Sequence, residues 1–172
     1  MHLNGIHLEP LTSETAELVR VWRNSAAINQ FMDYKDLISK EQQIEWFDSI
    51  KNSESHYFII MNGNQPVGMT HLNRVDQASK TAYAGLFIGE ESYRGTGTAL
   101  AASILLIDFA FDQLQLNSIF AKVNDKNSTA IQYNEAIGFV LRGTETKDFS
   151  CFELKEESFK AKREMLISFL TL

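Results

Sequence analysis

Hydrophobic and polar positions change their spacing several times along the chain, and each change predicts an element. "IHLEPLT", Ile6 to Thr12, alternates as a short first strand, which Pro10 holds to an edge or an end. Thr12 or Ser13 is suited to cap the helix that follows, in which Leu18, Val19 and Trp22 share a face. Ser39 with Gln42 three residues on is a capping-box pattern, and the helix it opens sets Ile44, Phe47 and Ile50 on one side. "HYFIIMN" predicts a strand, "GNQ" a turn, and "PVGMTHLNRV" the returning strand of a hairpin. "TAYAGLFIG" is the next strand. From there the period lengthens. Leu100, Ile104, Ile107, Phe111 and Leu114 predict a helix that lays one whole stripe on a sheet. "SIFAKVN" then puts Ile119, Ala121 and Val123 on one strand face, and "NSTAIQYNEAIG" is a short helix closed by Gly138. "FVLRGTET" and "KREMLISFL" are expected as the last two strands, joined by residues 147–159, which show no clear period. The order implies an α/β fold with a mixed, mostly antiparallel central sheet, flanking helices and one parallel crossover.

Composition narrows the class. The 172 residues are 44% hydrophobic, enough for one globular domain spanning 1–172, and no linker or repeat divides them. The longest apolar run, "ALAASILLIDFAF", is broken by Asp108 and is too short to span a bilayer, so no membrane partner is expected. A formal charge of −6 with scattered Lys and Arg argues against nucleic acid. Cys151 is the lone cysteine and "MHLNGIHLEP" lacks the make-up of a signal peptide, so a reducing cytoplasm is expected. His2, His7, His56 and His71 show no metal-ligand spacing, and no metal is expected.

The candidate chemistry begins at "SYRGTGTAL", where a strand opens through a glycine turn into the long helix. Glycines there accept positive φ and let a ligand approach the backbone. The free N–H groups of a helix start, carrying about +0.5 of charge, favour an anion. Neither the Gly-x-Gly-x-x-Gly spacing of dinucleotide sites nor the Gly-Lys-Ser/Thr of a P-loop is present.

A second stretch, Asn127 to Phe139, follows one strand later, and the two together resemble the GNAT superfamily of acyl-CoA N-acyltransferases. The first pattern, Gln/Arg-x-x-Gly-x-Gly/Ala, is met by Arg94, Gly97 and Ala99. The second, Asn-x-x-Ala-x-x-Tyr followed by Gly-Phe, is met by Asn127, Ala130, Tyr133, Gly138 and Phe139. The resemblance implies acetyl-CoA as cosubstrate. Its pyrophosphate would lie on the backbone of Arg94, Gly95, Thr96, Gly97, Thr98 and Ala99, with the Arg94 side chain beside it. Its pantetheine arm would pair with the backbone of Leu86, Phe87 and Ile88, where that strand splays from Ile119–Asn124. Asn127 would bind the pantetheine or its surroundings. A backbone N–H near Phe87 would hold the oxyanion, and Tyr133 would protonate the departing sulfur. Many relatives carry a glutamate base in a stretch like Ala-Glu-Leu-Gly. This chain has "AYAG", with Tyr83 in its place, which leaves a water-relayed base ending at His71 or Asp33. Glu90 and Glu91 are expected to face solvent.

The resemblance further implies a primary amine, on a small molecule or peptide, as acceptor. "VWRNSAAINQFM" and "SKEQQIEWFDSIK" are similar to the bacterial branch that acetylates UDP-linked 4-amino-4,6-dideoxy sugars on the way to pseudaminic acid. That likeness implies that Trp22, Arg23 and Asn24, with Tyr83, border the acceptor. Acetylation of ribosomal-protein N-termini, acetylation of polyamines, and an acyl-CoA sensor without turnover are the competing readings. A homodimer is compatible with the sequence.

Overall fold

A computed structural model of the chain describes residues 2–51 and 53–170. Eight strands form one sheet: β1 (His2–Leu3), β2 (Ile6–Pro10), β3 (His56–Asn62), β4 (Gln65–Asp76), β5 (Thr81–Ile88), β6 (Ser118–Asn124), β7 (Val140–Thr146) and β8 (Phe149–Lys155). Their order across the sheet is β1-β2-β3-β4-β5-β6-β8-β7. Only the β5–β6 pair is parallel, because the α4 helix (Thr98–Asp108) crosses between them.

The sheet buries both faces, which the sequence shows as near-continuous apolar runs in β3 and β4. Phe58 and Ile60 of β3 pack into the larger core with α4, while Ile59 and Met61 face Val19 and Trp22 of α1 (Ser13–Asn24). A short α2 (Ala26–Asn29) and then α3 (Lys40–Ile50) follow α1. Capping boxes at Thr12 with Thr15 and at Ser39 with Gln42 start α1 and α3.

Three expectations change. Residues 162–170 are not a strand: α6 (Glu156–Ser168) runs there, burying Phe159 and Leu166, seven residues or two turns apart. The apparent alternation of Met165, Ile167 and Phe169 lies off that buried line; Met165 and Phe169 are exposed. The strand instead lies inside the stretch that showed no clear period, where Phe152 and Leu154 of β8 reach the core. On α3 the inward residue is Gln43, whose Nε2 donates to the Ala16 carbonyl at 2.7 Å, and Ile44 is exposed. The α4 helix is buried nearly all round rather than along one stripe, and continues as a π-turn over Phe109–Gln113.

Candidate active site

The β5 and β6 strands pair from Thr81 with Ser118 as far as Ala84 with Ala121, and then part. From Gly85 and Lys122 onward their facing backbone groups have no strand partner, so an extended ligand fits between them as an added strand. The opening starts at Lys122 on β6, later than the Ile119–Asn124 span expected. Leu86 and Ile88 pack toward α4, and Phe87 toward Met69 and Trp22 on the other face. All three side chains are therefore walls, and backbone is what they offer to a ligand.

At the end of β5 a 3-10 turn, Glu91–Tyr93, leads into Gly95 at φ +76° and Gly97 at φ +83°. Gly97 is the N-cap of α4 and no side chain caps that helix, so its first N–H groups remain free. The Thr96 hydroxyl donates to the Tyr93 carbonyl at 2.8 Å and lies 2.9 Å from the Thr98 hydroxyl; both shape the turn. Arg94 folds back, its Nε and Nη2 donating to the carbonyls of Ile88 and Gly89 at 3.2 Å each. It clamps the turn to the strand end. These groups suit a diphosphate at the helix start and a thioester arm along β5.

On the α4 side of the opening, Asn127 caps α5 (Ser128–Ile137), its Oδ1 accepting from the Ala130 N–H at 3.0 Å. Its carbonyl oxygen is thus engaged in the helix start, and its amide is the group left to offer. Tyr133 lies one turn further on, its hydroxyl 2.7 Å from the Ser103 hydroxyl of α4. Burial pushes the phenol well above its ordinary value, and the Ser103 hydrogen bond opposes that rise. A serine within "ALAASILLID" was the sequence signal for this partner, and the motif-based reading passed over it.

The opposite face carries the expected acceptor residues. Trp22 is 5% exposed, packs edge-on to Phe87 at 6.2 Å, and donates through Nε1 to Glu90 at 2.9 Å. Trp22 is therefore part of the wall, and Glu90 is held by it rather than released to solvent. Asn24 spends its side chain on the backbone of Ile38, donating to its carbonyl and accepting its N–H at 2.9 Å each. Arg20 donates to that same carbonyl at 3.1 Å, so the loop of residues 30–39 is pinned onto α1. The pinned loop closes a cavity of about 330 Å³ lined by Val19, Arg23, Tyr34, Ile38, Gln42, Gln43, Trp46 and Met69. Met69 pairs with Phe87, so the cavity floor adjoins the strand that splays.

Arg23 is the exception in this lining. Its Nε is buried without a partner, and its guanidinium donates to no described residue. Burial lowers its proton affinity, yet an arginine stays charged. Beside it the His71 ring stacks on Tyr57 at 5.2 Å, with a buried, unpartnered Nδ1. Burial, with Arg23 adding to it, holds His71 down to about 4, so the ring is neutral near pH 7. Asp33 is paired with Lys122 at 2.7 Å across the mouth. Asp33 is thus taken up by Lys122, and the enclosed His71 ring is only weakly basic. Tyr83 lies on this same face, its hydroxyl 3.3 Å from both oxygens of Glu145.

Comparison with known proteins accords with this arrangement. The family model described as an acetyltransferase (GNAT) domain matches residues 6–140. The acetyltransferase PseH of Campylobacter jejuni is 30% identical over 152 residues, covering 88% of this chain and 92% of that protein. A spermidine N(1)-acetyltransferase of Escherichia coli is 22% identical, covering 85% and 78%. Among solved structures, spermidine N-acetyltransferase from Vibrio cholerae, in complex with CoA and spermine, superposes with a TM-score of 0.80. The overlap covers 91% of this chain and 98% of that one at 17% identity, a likeness of fold.

Proposed function

The chain belongs to the GNAT acetyltransferase family and is an acetyl-CoA-dependent N-acetyltransferase; from that premise we propose that its acceptor is an amino sugar carried on a nucleotide. One observation carries this reading: the unpartnered Arg23 guanidinium in a cavity walled by Tyr34 and Trp46. A charged group taken from water needs an acceptor of hydrogen bonds, and a phosphate or a ring oxygen supplies one. Aromatic walls suit the flat faces of a sugar or a base. A polyamine meets the opposite situation, since it would bring ammonium groups against an uncompensated cation. The Trp22-Arg23-Asn24 likeness to the sugar-acetylating branch agrees, with Trp22 and Asn24 positioning the wall and loop around Arg23.

In the reaction the amine lone pair attacks the thioester carbon, forming the C–N bond, while a backbone N–H near Phe87 holds the oxyanion. As the C–S bond breaks, Tyr133 gives its proton to sulfur. Ser103 donates to the phenolic oxygen at that moment and stabilises the developing phenolate. The turn from Arg94 to Ala99 and the open edge of Leu86–Ile88 hold the cosubstrate through the step.

The test is a panel of a UDP-linked 4-amino sugar, an Ala-starting peptide and spermidine, compared by kcat/KM at pH 7.5. The sugar should win, and Arg23→Ala should lower kcat/KM for it by roughly 10- to 100-fold, as expected for a charged hydrogen bond of about 1.5–3 kcal/mol. Acetyl-CoA affinity should not change. Spermidine or the peptide winning, or an Arg23→Ala variant of full activity, overturns the acceptor assignment.

A further inference from the structure

The missing carboxylate on β5 leaves the reaction without an evident destination for the proton of the attacking amine. Tyr83 stands where that carboxylate is found in relatives. It pairs with Asn73 on one side and Phe120 on the other, its ring 5.5 Å from that of Phe120. Tyr83 and Phe120 are the last cross-strand pair on the acceptor face before β5 and β6 part, one step beyond at Ala84 and Ala121. Tyr83 thus stands at the foot of the opening, on the acceptor face, with its hydroxyl hydrogen-bonded to Glu145.

Behind it lies Glu145, the one residue of β7 that is not exposed. Its carboxylate receives the Tyr83 hydroxyl at 3.3 Å through either oxygen. The Arg74 guanidinium lies 4.9 Å over the Tyr83 ring and 3.6 Å from the Glu145 carboxylate. We propose that Tyr83 and Glu145 form a proton relay, in which the Tyr83 oxygen takes a proton from the amine nitrogen as its own proton passes to Glu145. The relay rests on the acetyl-transfer reading. It balances that reaction, since the amine loses one proton on this face while sulfur gains one from Tyr133 on the other.

The other carboxylates named on this face have partners of their own. Lys122 and Asp33 pair with each other, and Glu153 is bound by Ser118 and Arg142. His71 is enclosed beside Arg23 and resists protonation. Cys151 touches both relay groups, and burial with the nearby Glu145 keeps its thiol protonated, which makes it a poor nucleophile. Burial and Glu145 likewise raise the Tyr83 phenol, so it enters the step protonated and acts as a conduit.

The experiment measures kcat against pH from 6.5 to 9.5 for wild type, Glu145→Gln, Glu145→Asp and Tyr83→Phe. It uses whichever of the three panel amines the wild type acetylates, so an acceptor other than the sugar overturns that assignment and leaves this test standing. The Tyr83→Phe variant keeps the ring against Phe120 and Arg74 and removes only the hydroxyl. Glu145→Gln and Tyr83→Phe should each lose about 10²-fold at pH 6.5. The loss should shrink steadily as pH rises to 9.5, because hydroxide then takes the proton from the attacking nitrogen in place of the relay, whichever amine is used. Glu145→Asp should recover part of the rate, and acetyl-CoA affinity by calorimetry should match wild type in all three. A loss constant across pH, or no loss, overturns the relay.

Discussion

Tyr133 shows how a single side chain depends on its neighbour. Its phenol is pushed up by burial, and the hydroxyl of Ser103 at 2.7 Å is the contact that opposes the push. A raised phenol stays protonated throughout the range in which the enzyme is assayed, so this acid does not set the alkaline limb of a pH profile. Tyr133→Phe is expected to lower kcat by about 10²- to 10⁴-fold with acetyl-CoA affinity unchanged. Ser103→Ala keeps the phenol but removes the donor to the developing phenolate. A neutral hydrogen bond of about 1 kcal/mol corresponds to roughly a fivefold loss of kcat. Steady-state kinetics with calorimetric binding separates the two, and a Tyr133→Phe enzyme at full kcat would leave the residue as packing. Arg23 illustrates the other limit: a half-buried charge whose Nε has no protein partner and which a ligand in the cavity can hydrogen-bond.

The turn between β5 and α4 works as an element, through backbone placed by two left-handed glycines. Gly97 cannot be probed cleanly, because a side chain at φ +83° is strained and would also crowd Leu170. Gly95 is the better site. Its φ of +76° strains a side chain as well, but Asp and Asn bear it at the lowest cost and equally in the two variants, and nothing lies within 4 Å of where a Cβ would sit. Gly95→Asp sets a negative charge beside the expected diphosphate, while Gly95→Asn adds nearly the same bulk without it. At about 6 Å and an effective dielectric near 20, each like-charge pair costs roughly 2–3 kcal/mol before salt screening. Acetyl-CoA binding should therefore weaken at least tenfold in Gly95→Asp and only slightly in Gly95→Asn. Equal affinities in calorimetry would mean that the turn does not face the diphosphate.

At the scale of the whole molecule, the sheet buries polar groups that ordinary packing would avoid, and His71 makes that cost measurable. An added Cβ at Gly85 would overlap the His71 ring, so glycine on β5 is what lets the imidazole lie across its cross-strand partner on the face of the sheet. The folded state keeps His71 neutral down to about 4, whereas an unfolded chain binds the proton near 6.5. Stability is then full above about 6.5 and is lost as pH falls toward 4, by ~2 kcal/mol at pH 5. Thermal melting at pH 7 and pH 5 should show the drop, and His71→Gln should flatten it; equal pH dependence in both proteins would refute this origin. What the sequence alone determined was local. Caps, hairpins, the glycine turn and the two spaced motifs each lie within a dozen or so residues, where backbone sterics and periodicity act directly. Residues 162–170 differ from the sequence expectation for the same reason: alternation in Met165, Ile167 and Phe169 mimics a strand, and only packing against the core decides that Phe159 and Leu166 form the buried line. Tertiary structure alone brought Ser103 to Tyr133, Asn24 to Ile38 and Glu145 to Tyr83, pairs separated by 30, 14 and 62 residues. No periodicity spans such distances. Ser103 meets Tyr133 because α4 and α5 pack on one face of the sheet, Asn24 meets Ile38 because the loop after α1 folds back on it, and Glu145 reaches Tyr83 across β6 and β8 from the edge strand β7.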